Sequence, residues 1–310
     1  MTETSHKSDI ARHLGQSSEY KAIYDPSVLV REPRQSNRTH LDLNDDSLPF
    51  VGFDTWNGYE VTALTNNGLP VACICKFVYP CSSKYIVESK STKLYFNTFS
   101  MTQLGNTPSE VYEELRVRAA KDLSDLLETE VYVSIVPNSK ALEDISVACE
   151  EWDHLQRNNR EFVTLEDRFP LENEVFDVYT ETPSLLKTND LLFTIESKYH
   201  SSLLRSRCKV TSQPDTGDVY IAFKGTCEVD PVSLLKYIVS FRDECHFHEE
   251  ICEAIYKRLW DALQPEELVV KCLYARRGSW DINPERASDI KLLHPSLSDS
   301  DVLHTKTPRQ

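Results

Sequence analysis

Apolar residues recur every fourth position after Thr107. Val111, Leu115, Ala119 and Leu123 therefore share one face of a predicted helix. Thr107 is placed as its N-cap, Pro108 takes the first helical position, and Glu110 completes a capping box. Either side of this helix the period shortens to two. Val71-Ala72-Cys73-Ile74-Cys75 reads as a strand, and Thr65-Asn66-Asn67-Gly68 as the turn of a hairpin over 58–80. Val131, Val133 and Ile135 line one side of a strand at 130–136. In the second half, strands at 203–212 and 219–223 flank the turn Pro214-Asp215-Thr216-Gly217. Asp230-Pro231 opens a helix carrying Leu234, Leu235, Ile238 and Val239. A further helix carries Ile251, Ile255 and Leu259 and stops before Pro265; strands follow at 268–274 and near Trp280.

The two halves share a faint common order. Lys93-Leu94-Tyr95-Phe96-Asn97-Thr98-Phe99 parallels Leu235-Lys236-Tyr237-Ile238-Val239-Ser240-Phe241, and Glu110-Val111 parallels Glu250-Ile251. This predicts two tandem ββααββ domains in an α+β architecture, with helices packed on one face of antiparallel sheets. The domains are placed at 51–140 and 196–292. Residues 1–50 read as an extended polar arm, 141–195 as a charged connection with a strand at 174–180, and 293–310 as a tail.

Composition narrows the function. The chain has 310 residues, 40% hydrophobic and 27% charged, enough for two soluble cores. No apolar run approaches a bilayer span, and the polar start shows no export segment, so a cytoplasmic protein is expected. A net charge of -15 argues against a nucleic-acid partner. Nine cysteines without a signal segment read as reduced thiols, most of them core residues. There are only eight glycines and neither Gly-x-Gly-x-x-Gly nor a Walker loop, so any nucleotide is held by other means.

Four runs carry candidate chemistry. A lone strand cysteine is ordinarily core, but Arg205, Arg207 and Lys209 surround Cys208, and nearby cations favour a thiolate. Asp215 follows seven residues later, either as a turn former or as an acid beside the thiolate. Cys245-His246-Phe247-His248-Glu249-Glu250-Ile251-Cys252 has metal-ligand residue types without paired zinc spacing; His248 and Glu249 at a helix start could instead grip a ligand. Val87-Glu88-Ser89-Lys90-Ser91-Thr92-Lys93-Leu94-Tyr95 reads by itself as a charged helix start. Arg276-Arg277-Gly278 after a strand can hold a phosphate.

Together, in this order, these runs resemble the NADPH-dependent 7-cyano-7-deazaguanine reductases of queuosine biosynthesis, in their long two-domain form. Leu48-Pro49-Phe50, Trp56, Tyr59, Asp281-Ile282-Asn283-Pro284 and the Arg309-Gln310 end extend the likeness along the chain. The resemblance implies a tunnelling fold, a homodimer, a small deazapurine substrate and reduction of its nitrile to a primary amine with two NADPH. It implies Cys208 as the nucleophile that forms a covalent thioimide and Asp215 as proton donor. It implies Val87, Glu88, Ser89, His248 and Glu249 as substrate contacts, and Ser89, Lys90, Arg277 and Gly278 as NADPH contacts, with no metal. A proton donor must be protonated, so burial is expected to raise the pKa of Asp215. Thr216, Ser279 and Lys209 depart from the family's pattern. The rival expectation is a metal-dependent pterin-type cyclohydrolase or synthase on the same fold, with zinc held by Cys208, His246 or His248.

Overall fold

The computed structural model describes residues 23–138, 162–301 and 309–310. Seven long strands build one sheet: β1 (Val51–Thr65), β2 (Pro70–Pro80), β3 (Tyr132–Pro137), β4 (Thr188–Cys208), β5 (Pro214–Val229), β6 (Glu267–Tyr274) and β7 (Trp280–Ala287). Their order is β4-β5-β6-β7-β1-β2-β3, with every neighbouring pair antiparallel. Short parallel pairings add Val163–Thr164 and Cys245–His246 to β4, and Gln103–Gly105 to β1. Four long helices are α1 (Ser89–Thr98), α2 (Pro108–Leu127), α3 (Pro231–Ser240) and α4 (His248–Leu263). The architecture is α+β, and among the described residues no helix is long and apolar enough to cross a membrane.

Helix periodicity translates directly into packing. Val111, Leu115, Ala119 and Leu123 are all fully buried on α2. Thr107 accepts the Glu110 N–H, while the Glu110 carboxylate accepts from Asn106 rather than from Thr107. Asp230 caps α3 by accepting the Ser233 N–H. One core gathers α1 and α2 against β1 and β2, with Phe77 stacked on Trp56 at 5.3 Å. Another gathers α3 and α4 against β4, β5 and β6. β7 joins the halves. It pairs with β6 and β1, yet its Trp280 and Ile282 pack into the α1–α2 core. In the first half the described order is β1-β2-α1-α2-β3, one strand short of the ββααββ unit expected there.

Several sequence expectations need correction. The part of the N-terminal arm that is described is not a loose extension. Arg31–Pro33 pairs with Tyr85–Val87, Gln35–Arg38 is helical, and Leu29, Leu41, Leu43 and Phe50 are buried. Residues 1–22 of the arm lie outside the described residues. No strand forms at 174–180, where the backbone is irregular. β4 begins at Thr188, inside the segment expected to be connection, and residues 139–161 of that segment are not described. Pro214-Asp215-Thr216-Gly217 is not a turn but the start of β5, with Ser206 opposite Asp215. Pro214 sits at the first residue of the strand, where its missing N–H costs no ladder bond. The turn is 209–213, closed by Ser212 N–H to the Cys208 carbonyl and Cys208 N–H to the Gln213 carbonyl.

A buried charge network links the arm to both halves. Arg34 pairs with Asp54 of β1, and Arg286 of β7 bridges Asp54 at 2.8 Å and Glu253 of α4 at 2.9 Å. Arg38 also bonds Glu253, at 2.7 Å, and the Cys81 carbonyl. Burial pushes the Glu253 carboxyl up, but the three arginines outweigh it and hold the group at about 2. Glu253 lies one turn beyond Glu249 on α4, so the network fixes the helix that enters the site.

Candidate active site

A cavity of about 150 Å³ opens where the halves meet. The β1–α1 side gives it Trp56, Val87, Glu88, Ser89, Lys90 and Lys93. The end of β4, its turn and the start of β5 give Cys208, Val210, Thr211 and Asp215. The approach to α4 gives His246, Phe247, His248 and Glu249, and the β6–β7 connection gives Ala275, Arg277, Trp280 and Ile282. Of the expected site residues, all but Gly278 line this cavity. Gly278 flanks it: a Cβ there would lie 3.3 Å from Cδ of Lys93. Trp56, Lys93 and Phe247 stand in the motifs without an assigned contact, His246 is expected only as a zinc ligand of the rival reading, and Trp280 is expected only in a strand. Their inward direction follows from strand alternation and helix phase, which the motifs alone do not fix.

Glu88 is the N-cap of α1. Its carboxylate oxygens accept the N–H groups of Lys90 at 2.9 Å and Ser91 at 2.6 Å. Each oxygen keeps a second lone pair, so the cap and a ligand contact are compatible. Glu249 is different. It is 1% exposed, and its Oε1 has no hydrogen-bond partner among the described residues. Burial, then the charge of Asp54, push its carboxyl up to about 8. An orphaned buried acceptor on the cavity wall is a costly feature that a ligand with paired donors relieves.

Asp215 overturns the expectation that its pKa is raised. It is 3% exposed, and burial alone would push it up. His248 and Arg277 outweigh burial and hold the carboxyl below its ordinary value. Arg277 Nη1 donates to Oδ1, Arg277 Nη2 donates to Gln213 Oε1 at 2.7 Å, and His248 Nε2 lies 3.5 Å from Oδ2. His248 is itself held against Tyr274, ring centroids 3.9 Å apart. Asp215 is thus held between the Arg277 guanidinium and the His248 imidazole rather than standing as an isolated buried acid.

The cofactor side carries cations. Lys90, Lys93 and Arg277 border the cavity. Lys93 forms no ion pair among the described residues; burial and the neighbouring Arg277 lower its pKa. Gly278 (φ 58°) and Ser279 (φ 66°) are both left-handed, so the chain turns sharply beside Arg277. Lys90 and Lys93, together with Arg277 anchored on Asp215, stand beside a glycine without a Cβ and fit a phosphate-bearing cofactor.

His246 has Nδ1 3.1 Å from Glu250 and Nε2 3.3 Å from Glu244. Among the described residues no group of three or more His, Cys, Asp or Glu could hold a metal ion. The zinc site of the rival expectation has no support in this arrangement.

Comparison with known proteins gives concordant matches. Residues 20–135 match the family described as nitrile reductase, 7-cyano-7-deazaguanine-reductase N-term, and residues 214–291 match the QueF-like protein family. A curated protein of Legionella pneumophila (strain Lens), named NADPH-dependent 7-cyano-7-deazaguanine reductase, is 38% identical over 276 residues, 89% of either chain. Proteins of the same name from Rickettsia bellii (strain OSU 85-389) and Ralstonia nicotianae are 37% and 38% identical. They cover 91% and 89% of this chain, and 95% and 92% of their own. A crystal structure of the archaeosine synthase QueF-Like in the apo form covers 31% of this chain and 95% of that one. At 15% identity and a TM-score of 0.28, it is too slight an overlap to argue from.

Proposed function

Because the chain belongs to the NADPH-dependent 7-cyano-7-deazaguanine reductase family, we propose that it reduces the nitrile of 7-cyano-7-deazaguanine to the primary amine for queuosine synthesis. It is an NADPH-dependent oxidoreductase. The observation that carries the substrate assignment is Glu249. A deazaguanine edge offers a ring N–H and an amino group, and the Glu249 carboxylate, whose Oε1 has no partner among the described residues, accepts both. Val87, Glu88, Ser89 and His248 complete the substrate contacts.

A nitrile is a weak electrophile, and covalent capture splits its reduction into easier steps. Cys208 Sγ adds as thiolate to the nitrile carbon. The C–S bond forms, one C≡N π pair moves to nitrogen, and that nitrogen takes a proton from the Asp215–His248 pair, giving a thioimide. Nitrile to amine is a four-electron reduction, so NADPH, when bound, supplies hydride twice. Ser89, Lys90, Arg277 and Gly278 would hold it. Cys208 and Trp280, one from each side of the cavity, both line the space the nitrile would occupy.

The finer family features belong to the same proposal. The two halves are tunnelling-fold domains, and the chain associates as a homodimer. The free thiol at Cys208 needs a reducing compartment, taken here as the cytoplasm. An NADPH-oxidation assay with the nitrile tests the function: two NADPH consumed per amine, and none by Cys208→Ala. Undiminished turnover in that variant would remove the cysteine from the reaction.

A further inference from the structure

The turn that follows Cys208 is pinned to the first turn of α4 by a cluster that the reaction scheme leaves unused. Lys209 Nζ donates to Glu250 Oε1 at 2.9 Å and lies 5.1 Å from the centre of the Phe247 ring. Glu250 is 3% exposed. Its other oxygen accepts the Phe247 N–H at 3.1 Å and faces His246 Nδ1 at 3.1 Å. Burial pushes the Glu250 carboxyl up, but His246 and Lys209 outweigh it and lower it. Burial would lower His246, whereas Glu250 and Glu244 raise it. In the cluster Lys209 Nζ and both ring nitrogens of His246 lie within 3.3 Å of the Glu250 and Glu244 carboxylates.

Its placement gives it a use. The Cys245–His246 segment runs parallel to the end of β4, with His246 opposite Cys208 and Cys245 opposite Arg207. The Arg207 N–H donates to the Glu244 carbonyl at 2.7 Å. Two residues after His246 come His248 and Glu249, the proposed substrate grip. The nucleophile and the grip are therefore on separate elements. They are joined by backbone pairing on one side and by the Lys209–Glu250 bond on the other.

We propose that Lys209, with Glu250 and His246, is a positioning tether that registers the Cys208 sulfur against the nitrile carbon by tying the 209–213 turn to α4. This rests on the nitrile-reductase reading above. Lys209 touches neither the reacting atoms nor the substrate. Without its ammonium the turn keeps its own backbone bonds but loses its anchor to the grip helix. The sulfur then samples positions short of attack geometry, while Glu249 still holds the deazaguanine.

The test separates adduct formation from binding. Stopped-flow absorbance follows thioimide formation with saturating 7-cyano-7-deazaguanine in wild type, Lys209→Met, Lys209→Arg and Glu250→Gln. Calorimetry measures nitrile affinity in Cys208→Ala with and without Lys209→Met. The tether predicts adduct formation about ten-fold slower in Lys209→Met and Glu250→Gln, recovery to within about three-fold in Lys209→Arg, and affinity changed less than about two-fold. Wild-type adduct rates in Lys209→Met overturn the tether. So does parallel loss of affinity and melting temperature, which marks a general structural ion pair. Failure of the wild type to form any adduct defeats the nitrile-reductase reading instead.

Discussion

Substrate affinity should rise steeply with pH because of Glu249. The carboxylate must be ionised to accept two donors from the deazaguanine edge, yet burial and Asp54 push its pKa up to about 8 in the free protein. Binding at lower pH must therefore expel a proton. With a pKa of about 8, the apparent affinity at pH 7 is about ten-fold, and at pH 6 about a hundred-fold, below its high-pH limit, near 1.4 kcal/mol for each unit. Calorimetry on Cys208→Ala in buffers of differing ionisation enthalpy reads both quantities, because adduct formation is absent. Near pH 7 the account predicts release of about one proton per nitrile bound. The same group sets a stability trend of the opposite sense. Its folded pKa lies above its unfolded value, so its contribution is full below the ordinary carboxyl range near 4.5 and fades as pH rises to about 8. Ligand-free protein should lose stability across that window, and Glu249→Gln should lose less. Affinity that is flat from pH 6 to 8.5, with no proton released, would refute the edge-recognition role.

Two further outcomes follow from the charges around the site. Asp215→Asn should keep nitrile affinity but slow turnover by about a hundred-fold or more, read by NADPH oxidation, because the proton-holding pair is broken; equal turnover removes Asp215 from the chemistry. Arg286→Met should cost about 3 kcal/mol in urea unfolding, because it takes one of three buried arginines from Asp54 and Glu253 and leaves them only Arg34 and Arg38. In the wild type Glu253, held at about 2, adds stability above its ordinary carboxyl range that is lost as pH falls from about 4.5 toward 2, and Arg286→Met should flatten that acid limb.

How much the chain disclosed depended on the range of the forces involved. Local periodicity carried α2: one hydrophobic face of Val111, Leu115, Ala119 and Leu123 is what both pattern and packing require. The strand–strand–helix–helix order of the second half was legible for the same reason. Pro214-Asp215-Thr216-Gly217 misled because its turn chemistry is local, whereas pairing with β4 and β6 is not; Gly217 instead packs against the backbone at Leu273 and Tyr274. The buried role of Arg34 and Arg38 was hidden behind a polar composition. Their spacing of four beside Leu41 and Leu43 was the one local hint. The motifs placed Cys208, Asp215, Glu88 and Glu249 around one cavity. They could not show that Arg277 and His248 reach Asp215, since those contacts span 62 and 33 residues and reverse the sign of its pKa shift.

The central claim is the covalent bond between Cys208 and the nitrile carbon. Intact-protein mass spectrometry after mixing with 7-cyano-7-deazaguanine, without NADPH, tests it directly. The account predicts a mass gain of one whole substrate, since addition expels nothing, accompanied by thioimide absorbance and absent from Cys208→Ala. An unmodified wild type, or an equal gain in Cys208→Ala, would contradict it.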